Sequence, residues 1–439
     1  EPTPRCCAAS RVSDWGATNV RLVHKDQQPL IIEGQGTASA RLRPLLSTLA
    51  TGQVGLEFLS ELPINDMQGM VGGDVAMTMM LPEPGQTMTA DRIAFRAKGQ
   101  ASELGWGRML METDVHSGMV DFEITPQLMS GKGKGYFGDT PIDVSFQRSF
   151  DMASQTRTTV EFIGDMQVRQ ALSYAPFLSG YLPSGSLALQ GSYFDDWAGD
   201  GLLSSRIDMA DAELQLPFLA LAKPRSHPGG VEVVAELKGG VPVNIPQLRL
   251  ATFRPGEAEP FFGVEGSGRF SEVDGSWEAL SFNELKFEDT ILRGLTLLNL
   301  PQAMTLNVQG GQFNARAIFA ALERAGPAGG NSATEVTQGK PIIFEVDLLD
   351  RVLLPSGEII SNVSFSGQRV GALWHSLQVE GRLPFSSVPG QDPQQAFVSF
   401  GPLNSGGYEL FLETGDAGAL LKTLGYWQNM GGGVMRFRG

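Results

Sequence analysis

A chain of 439 residues with 42% hydrophobic side chains carries enough apolar material for two or three ordinary domains. Its 48 acidic residues outnumber 33 basic ones; the net charge of -15 argues against phosphate-backbone recognition, which needs clustered Lys and Arg, and disfavours lying flat on an anionic bilayer. Cys6 and Cys7 are adjacent, too close for an ordinary disulfide and without the spacing of a zinc site, and no apolar run approaches the roughly 18 residues of a membrane span.

The first periodic element has helical spacing: Leu45, Leu46 and Leu49 predict a short amphipathic helix near 41–50. The period then changes to two. Val75, Met77 and Met79 alternate with Ala76 and Thr78, and Ile93, Phe95 and Ala97 alternate with Arg96 and Lys98. The same pattern returns at Val120, Phe122 and Ile124 against Asp121 and Glu123, and at Ile142, Val144 and Phe146 against Asp143, Ser145 and Gln147. These are half-buried strands with one apolar and one charged face. Val168, Ala171 and Leu172 after Asp165 predict a second helix near 166–178. Over residues 207–216 the apolar phase slips from Ile207 and Met209 to Ala212, Leu214 and Leu216, so a bulge or bend is expected near Ala210 and Asp211.

Alternation resumes at Val231, Val233, Ala235 and Leu237 and is cleanest at Ile342, Phe344, Val346 and Leu348. Between these lies an N-cap, Asn314, with apolar residues at Ile318, Phe319 and Leu322, predicting a helix over 315–325. Asp416 repeats those offsets with Leu420, Leu421 and Leu424, predicting a helix near 417–425. Residues 326–339, rich in Gly, Ala, Ser and Thr, read as a flexible loop. Composition does not change across it, so 1–325 and 340–439 are expected to continue one β architecture. The 54 glycines and 26 prolines suit a chain that turns every ten or so residues.

Nothing in the pattern resembles a catalytic centre. His24, His116, His227 and His375 lie far apart, Asp195 and Asp196 sit in a turn-like segment, and residues 131–138 lack the order of a phosphate-binding loop. The reading is of a non-enzyme with no metal and no cofactor. What the alternation offers instead is surface. At roughly 14 residues per strand and turn, the chain holds about 25 to 30 strands, a sheet ~120 to 145 Å long if continuous. Left open, its apolar face would be an area on the order of 1,200 Å², more than a soluble monomer leaves bare. Acyl chains suit such a lining because it asks for no polar partner. Two sheets covering each other would satisfy the same alternation. The candidate lining residues are Val75, Met77, Met79, Ile93, Phe95, Val120, Phe122, Ile124, Ile142, Val144, Phe146, Val231, Val233, Ile342, Phe344, Val346 and Leu348.

Four stretches carry a family likeness: Ile207, Asp208, Ala212, Glu213, Leu214, Gln215, Leu216, Pro217 followed by Ala222, Lys223, Pro224; Asp416 through Leu421 with Gly425 and the glycines 431–433; Val308, Gln309, Gly310 with Phe313, Asn314, Ala315, Arg316; and Gly69 to Asp74 followed by Leu81 and Pro82. From about residue 50 onward the chain resembles the AsmA-like superfamily of Gram-negative envelope proteins, particularly its YhdP-type and TamB-type members. The resemblance implies a mainly β fold: a long, twisted, curled antiparallel sheet forming a taco-like repeating β-groove, with a few short helices. It implies a periplasmic protein tethered to the inner membrane, carrying phospholipid or another acyl lipid between membrane proteins at its two ends. It also leaves open a TamB-like assembly factor for outer-membrane β-barrels, and a structural β-solenoid remains a third reading. This sequence lacks the N-terminal transmembrane anchor of the family pattern and stops at Gly439 as though within a domain.

Overall fold

A computed structural model of the chain describes residues 13–15, 18–23, 30–51, 64–82, 92–110, 113–174, 179–216, 221–273, 275–316, 340–370, 373–403, 405–427 and 429–439. The predicted loop at 326–339 and all but the start of the predicted helix over 315–325 lie outside these residues. The protein is mainly β, with curled antiparallel sheet and few helices. It divides into two compact units, Glu1–Pro176 with Ser186–Ser205, and Phe177–Gly185 with Arg206–Gly439.

The first unit runs β1 (Ser13–Trp15), β2 (Asn19–Val23), β3 (Ile31–Arg41), α1 (Leu42–Thr51), β4 (Met67–Met80), β5 (Ile93–Leu110), β6 (Thr113–Ile124), β7 (Leu128–Phe137), β8 (Thr140–Ser149), β9 (Thr158–Gln167), α2 (Val168–Tyr174) and β10 (Ser186–Asp195). Both β1 and β2 pair with β3, and from β3 to β10 each strand pairs antiparallel with the next. Cross-strand charge helps to fix that register. Asp74 stands opposite Lys98, Lys98 opposite Glu123, and Asp121 opposite Lys132. A slip of one residue would set these charges against apolar side chains. Because β3 and β9 run in the same direction through the meander, α1 and α2, which come directly after them, leave from the same rim of the sheet. The helices fill that rim: Leu42, Leu46, Met166 and Leu187 are buried there, and Val168 is 1% exposed.

Strand β11 (Asp200–Asp208) leads from the first unit into the second, whose further elements are β12 (Leu214–Leu216), β13 (Leu221–Lys223), β14 (Gly229–Lys238), β15 (Val241–Phe253), β16 (Pro260–Phe270), β17 (Trp277–Phe287), β18 (Thr290–Asn299), β19 (Met304–Val308), β20 (Gly310–Asn314), β21 (Ile342–Leu353), β22 (Ile359–Val370), β23 (Leu373–Arg382), β24 (Gln395–Pro402), β25 (Tyr408–Thr414), α3 (Ala417–Thr423) and β26 (Met435–Arg438). From β14 to β18 and from β21 to β26 the pairing is a second antiparallel meander. One join departs from the antiparallel rule: β19 and β20 pair antiparallel with β18 but run parallel to β21. Parallel neighbours need a connection of a dozen or more residues, and 315–341 provides it.

The phase slip expected over 207–216 is a turn. Strand β11 stops at Asp208, whose Oδ1 accepts from the Ala210 N–H at 2.8 Å, and the Ala212 N–H donates to the Met209 carbonyl at 3.0 Å. Lys223 locks the turn from beneath. It is 0% exposed, and its Nζ donates to the Met209 and Ala212 carbonyls, each at 2.7 Å. Burial pulls the Lys223 pKa down, while Asp208 and Asp211 draw it back up. Asp416 caps α3 as its spacing predicts, accepting from the Ala419 N–H at 2.8 Å. Asn314 accepts likewise from the Arg316 N–H at 3.1 Å.

Candidate functional site

Strand pairing turns the alternation into continuous faces. In the first unit, a cross-strand row runs Ala40, Val71, Ala101, Val120, Gly133, Val144, Phe162, Gly191 from β3 to β10. Beside it runs a second, Ala38, Gly73, Gly99, Phe122, Gly131, Phe146, Val160, Tyr193. Until Tyr193 every position in both is apolar or glycine. Val75 opposes Ala97 and Ala97 opposes Ile124, Met77 opposes Phe95, Met79 opposes Ile93, and Ile142 opposes Gly135, so these residues share the same face. All eleven residues expected from 75 to 146 therefore lie together.

The second unit repeats the arrangement. Ile245, Gly268, Leu280, Leu297, Leu306, Phe344, Gly367, Leu377, Phe400 and Leu410 form one row from β15 to β25. Val308, Val346, Phe365, Val379, Val398, Leu412 and Phe437 form the next. Val233 joins this face through Leu248 and Gly266, Val231 stands two residues before Val233, and Ile342 stands two before Phe344.

Leu348 is the exception. The register between β21 and β22 shifts between Val346 and Leu349, so Leu349 takes the inward place, buried against Val308 and Val363, while Leu348 is 45% exposed. Strict alternation predicted Leu348 inside. A β-bulge adds one residue without altering composition, and here it turns Leu348 out and Leu349 in.

These faces are lined but not packed away. No residue of the interior strand β4 is fully buried. In the second unit the buried cluster of Leu295, Val308, Leu349 and Val363 is surrounded by Phe282, Leu306, Val346 and Val379, all from strands of the same sheet. Glycine keeps the lining low. An added Cβ at Gly131 would meet the Phe146 ring at 2.6 Å, at Gly191 the Phe162 ring at 2.4 Å, and at Gly266 the Phe282 ring at 2.6 Å. Each ring lies flat where its neighbour has no side chain. Alternation along the sequence does not reveal these glycines, nor most of β15–β18 and β22–β25. Strand β24 shows why: Phe397 packs with Phe411 on one face while Val398 and Phe400 line the other, which hides the period.

The opposite face of the first unit is charged. A depression of about 940 Å³ there is lined by Asp74, Lys98, Asp121, Glu123, Lys132 and Glu161, among others. Arg96 meets Glu123 at 2.7 Å and Lys134 meets Asp143 at 3.2 Å, both exposed, and such pairs add little beyond register. At the end of the apolar face, desolvation and the neighbouring Asp195 push the Tyr193 pKa up to about 12, which keeps its hydroxyl protonated. Asp195 and Asp196 lie at a turn, where Asp196 Oδ1 accepts from the Ala198 and Asp200 N–H groups. Among the described residues no helix is long and apolar enough to cross a membrane, and no group of three His, Cys, Asp or Glu is placed to hold a metal ion.

No protein-family model, curated protein or solved structure matches the chain.

Proposed function

We propose that the chain is a segment of a bridge-like lipid transfer protein, and that each apolar face holds phospholipid or other acyl chains as they pass through the periplasm between membrane proteins at its two ends. The observation that carries this reading is the cross-strand row in each unit: apolar or glycine at successive strands, part buried and part half-exposed, and bordered by side chains of its own sheet. A lining of Val, Leu, Phe and Met offers no fixed polar stations, so hydrocarbon tails can slide along it at nearly constant free energy. Tethering to the inner membrane and transfer to the outer one belong to the same proposal, drawn from the family resemblance. The reading assigns no catalytic residue.

Native mass spectrometry of gently purified protein tests it, with co-purified acyl lipid expected. Val346→Asp and Met79→Asp should each remove most of that lipid, whereas Asp347→Asn and Leu348→Asp should leave it unchanged. A fully folded protein that never carries lipid would overturn the proposal. Crosslinks to β-barrel precursors in lipid-free protein would instead mark an assembly factor.

A further inference from the structure

A charged residue, Arg369, lies on the apolar face of the second unit. Arg369 stands across from Ile342 on β21 and Trp374 on β23, two residues beyond Gly367 and four beyond Phe365 on the lining side of β22. Its Nε is shielded from solvent and has no hydrogen-bond partner among the described residues. Aromatic residues occupy neighbouring positions of the same face. Phe344, Phe365 and Trp374 lie with centroids 5.3 to 6.2 Å apart, and the Trp374 ring covers Gly367, approaching the place of a Cβ to 3.0 Å. The first unit offers a contrast. There Arg148 also falls on the apolar face, but its cross-strand row, Met129, Arg148, Thr158, Asp195, contains a carboxylate.

A guanidinium whose Nε is shielded and unpaired on an apolar face calls for an anion, and its planar fork matches the paired oxygens of a phosphate or carboxylate. Resting on the lipid-conduit reading above, we propose that Arg369 is a head-group anchor. It pairs with the anionic oxygens of an amphiphile whose tail lies over Phe344, Phe365 and Trp374 and along the row through Val346. The aromatic trio excludes water from the pair, which strengthens it. Arg369 thereby gives the second unit a selectivity for anionic over uncharged lipid that an aliphatic lining lacks.

The test uses the full chain stripped of lipid and reloaded with dioleoylphosphatidylglycerol, oleate or dioleoylglycerol, with occupancy read by native mass spectrometry. Wild-type protein should favour an anionic probe over dioleoylglycerol by roughly tenfold, the scale of one charge-assisted contact. The anion preferred identifies phosphate or carboxylate as the head group. Arg369→Gln should reduce the preference to about onefold while dioleoylglycerol occupancy stays at the wild-type level, which also shows that the variant is folded. Arg369→Lys should retain part of it, since a point charge lacks the fork. Equal loading of all three probes by wild type, or an undiminished preference in Arg369→Gln, overturns the anchor and leaves the conduit standing. Wild type that takes up none of them overturns the conduit itself.

Discussion

The carboxylate of Asp416, 2% exposed, holds the loop after β23 against the start of α3. It accepts from the Ser387 N–H at 2.6 Å, the Ser387 and Ser386 hydroxyls and the Ala419 N–H. Burial by itself would raise its pKa, but the bonds from Ser387, Ala419 and Ser386 outweigh that and hold it below the usual carboxylate range. A depressed folded value means that the contribution is complete above the unfolded pKa, about 4, and is lost as pH falls through the lower folded value. Asp416→Asn should therefore cost about 1 to 2 kcal/mol at pH 7. Thermal unfolding of both proteins from pH 7 to pH 3 checks this, and the gap should narrow at the acid end. Lys223 shows the same economy with opposite charge: it occupies the space beneath Gly229, where an added Cβ would meet its stem at 2.9 Å. Neither side chain belongs to the apolar lining, yet each fixes where a strand stops.

At the scale of the strand, glycines at the lining positions let neighbouring backbones approach. A Cβ at Gly133 would lie 2.0 Å from the Met119 carbonyl oxygen and 2.7 Å from the Val120 Cα, and backbone of a paired strand cannot swing aside. Gly34 on β3, on the same apolar face opposite Met77, has nothing within 4 Å of that point. Gly133→Ala should thus destabilise the first unit by about 2 to 3 kcal/mol, as overpacking does. Gly34→Ala should stay within ~0.5 kcal/mol of wild type. Urea midpoints measured side by side decide it. Comparable effects at both sites would mean that the close backbone approach at Gly133 does not decide its residue. The bulge at Leu348 belongs to this scale too, since it lets β21 pass from the row of Val346 to the buried place of Leu349 without breaking the sheet.

For the molecule as a whole, the proposed lipid function makes stability depend on the guest that covers the apolar faces. Hydrocarbon bound to the folded faces and absent from the unfolded chain must raise the unfolding midpoint by mass action, about 2.7 kcal/mol at a hundredfold excess over Kd. Delipidated protein should melt several degrees lower than protein reloaded with phospholipid, and should bind a hydrophobic dye that the loaded form excludes. Differential scanning fluorimetry and dye titration of the two preparations check both outcomes. Melting points that coincide would mean that the half-buried rows are already satisfied by their own sheet.

Much of this was present in the residues themselves. Period-two alternation placed Val75, Met77, Phe95, Val120 and Val144 on a common face because side-chain direction along a strand is a local property. Cap chemistry at Asp416 and the slip before Ala212 were legible for the same reason. Sequence alone did not show which strands meet, that β21 runs parallel to β19 and β20, that Leu348 is turned out, or that Arg369 stands across from Ile342 and Trp374. Those features depend on register between segments far apart in the chain and on single-residue bulges, which leave composition unchanged and acquire a direction only once the neighbouring strand is in place.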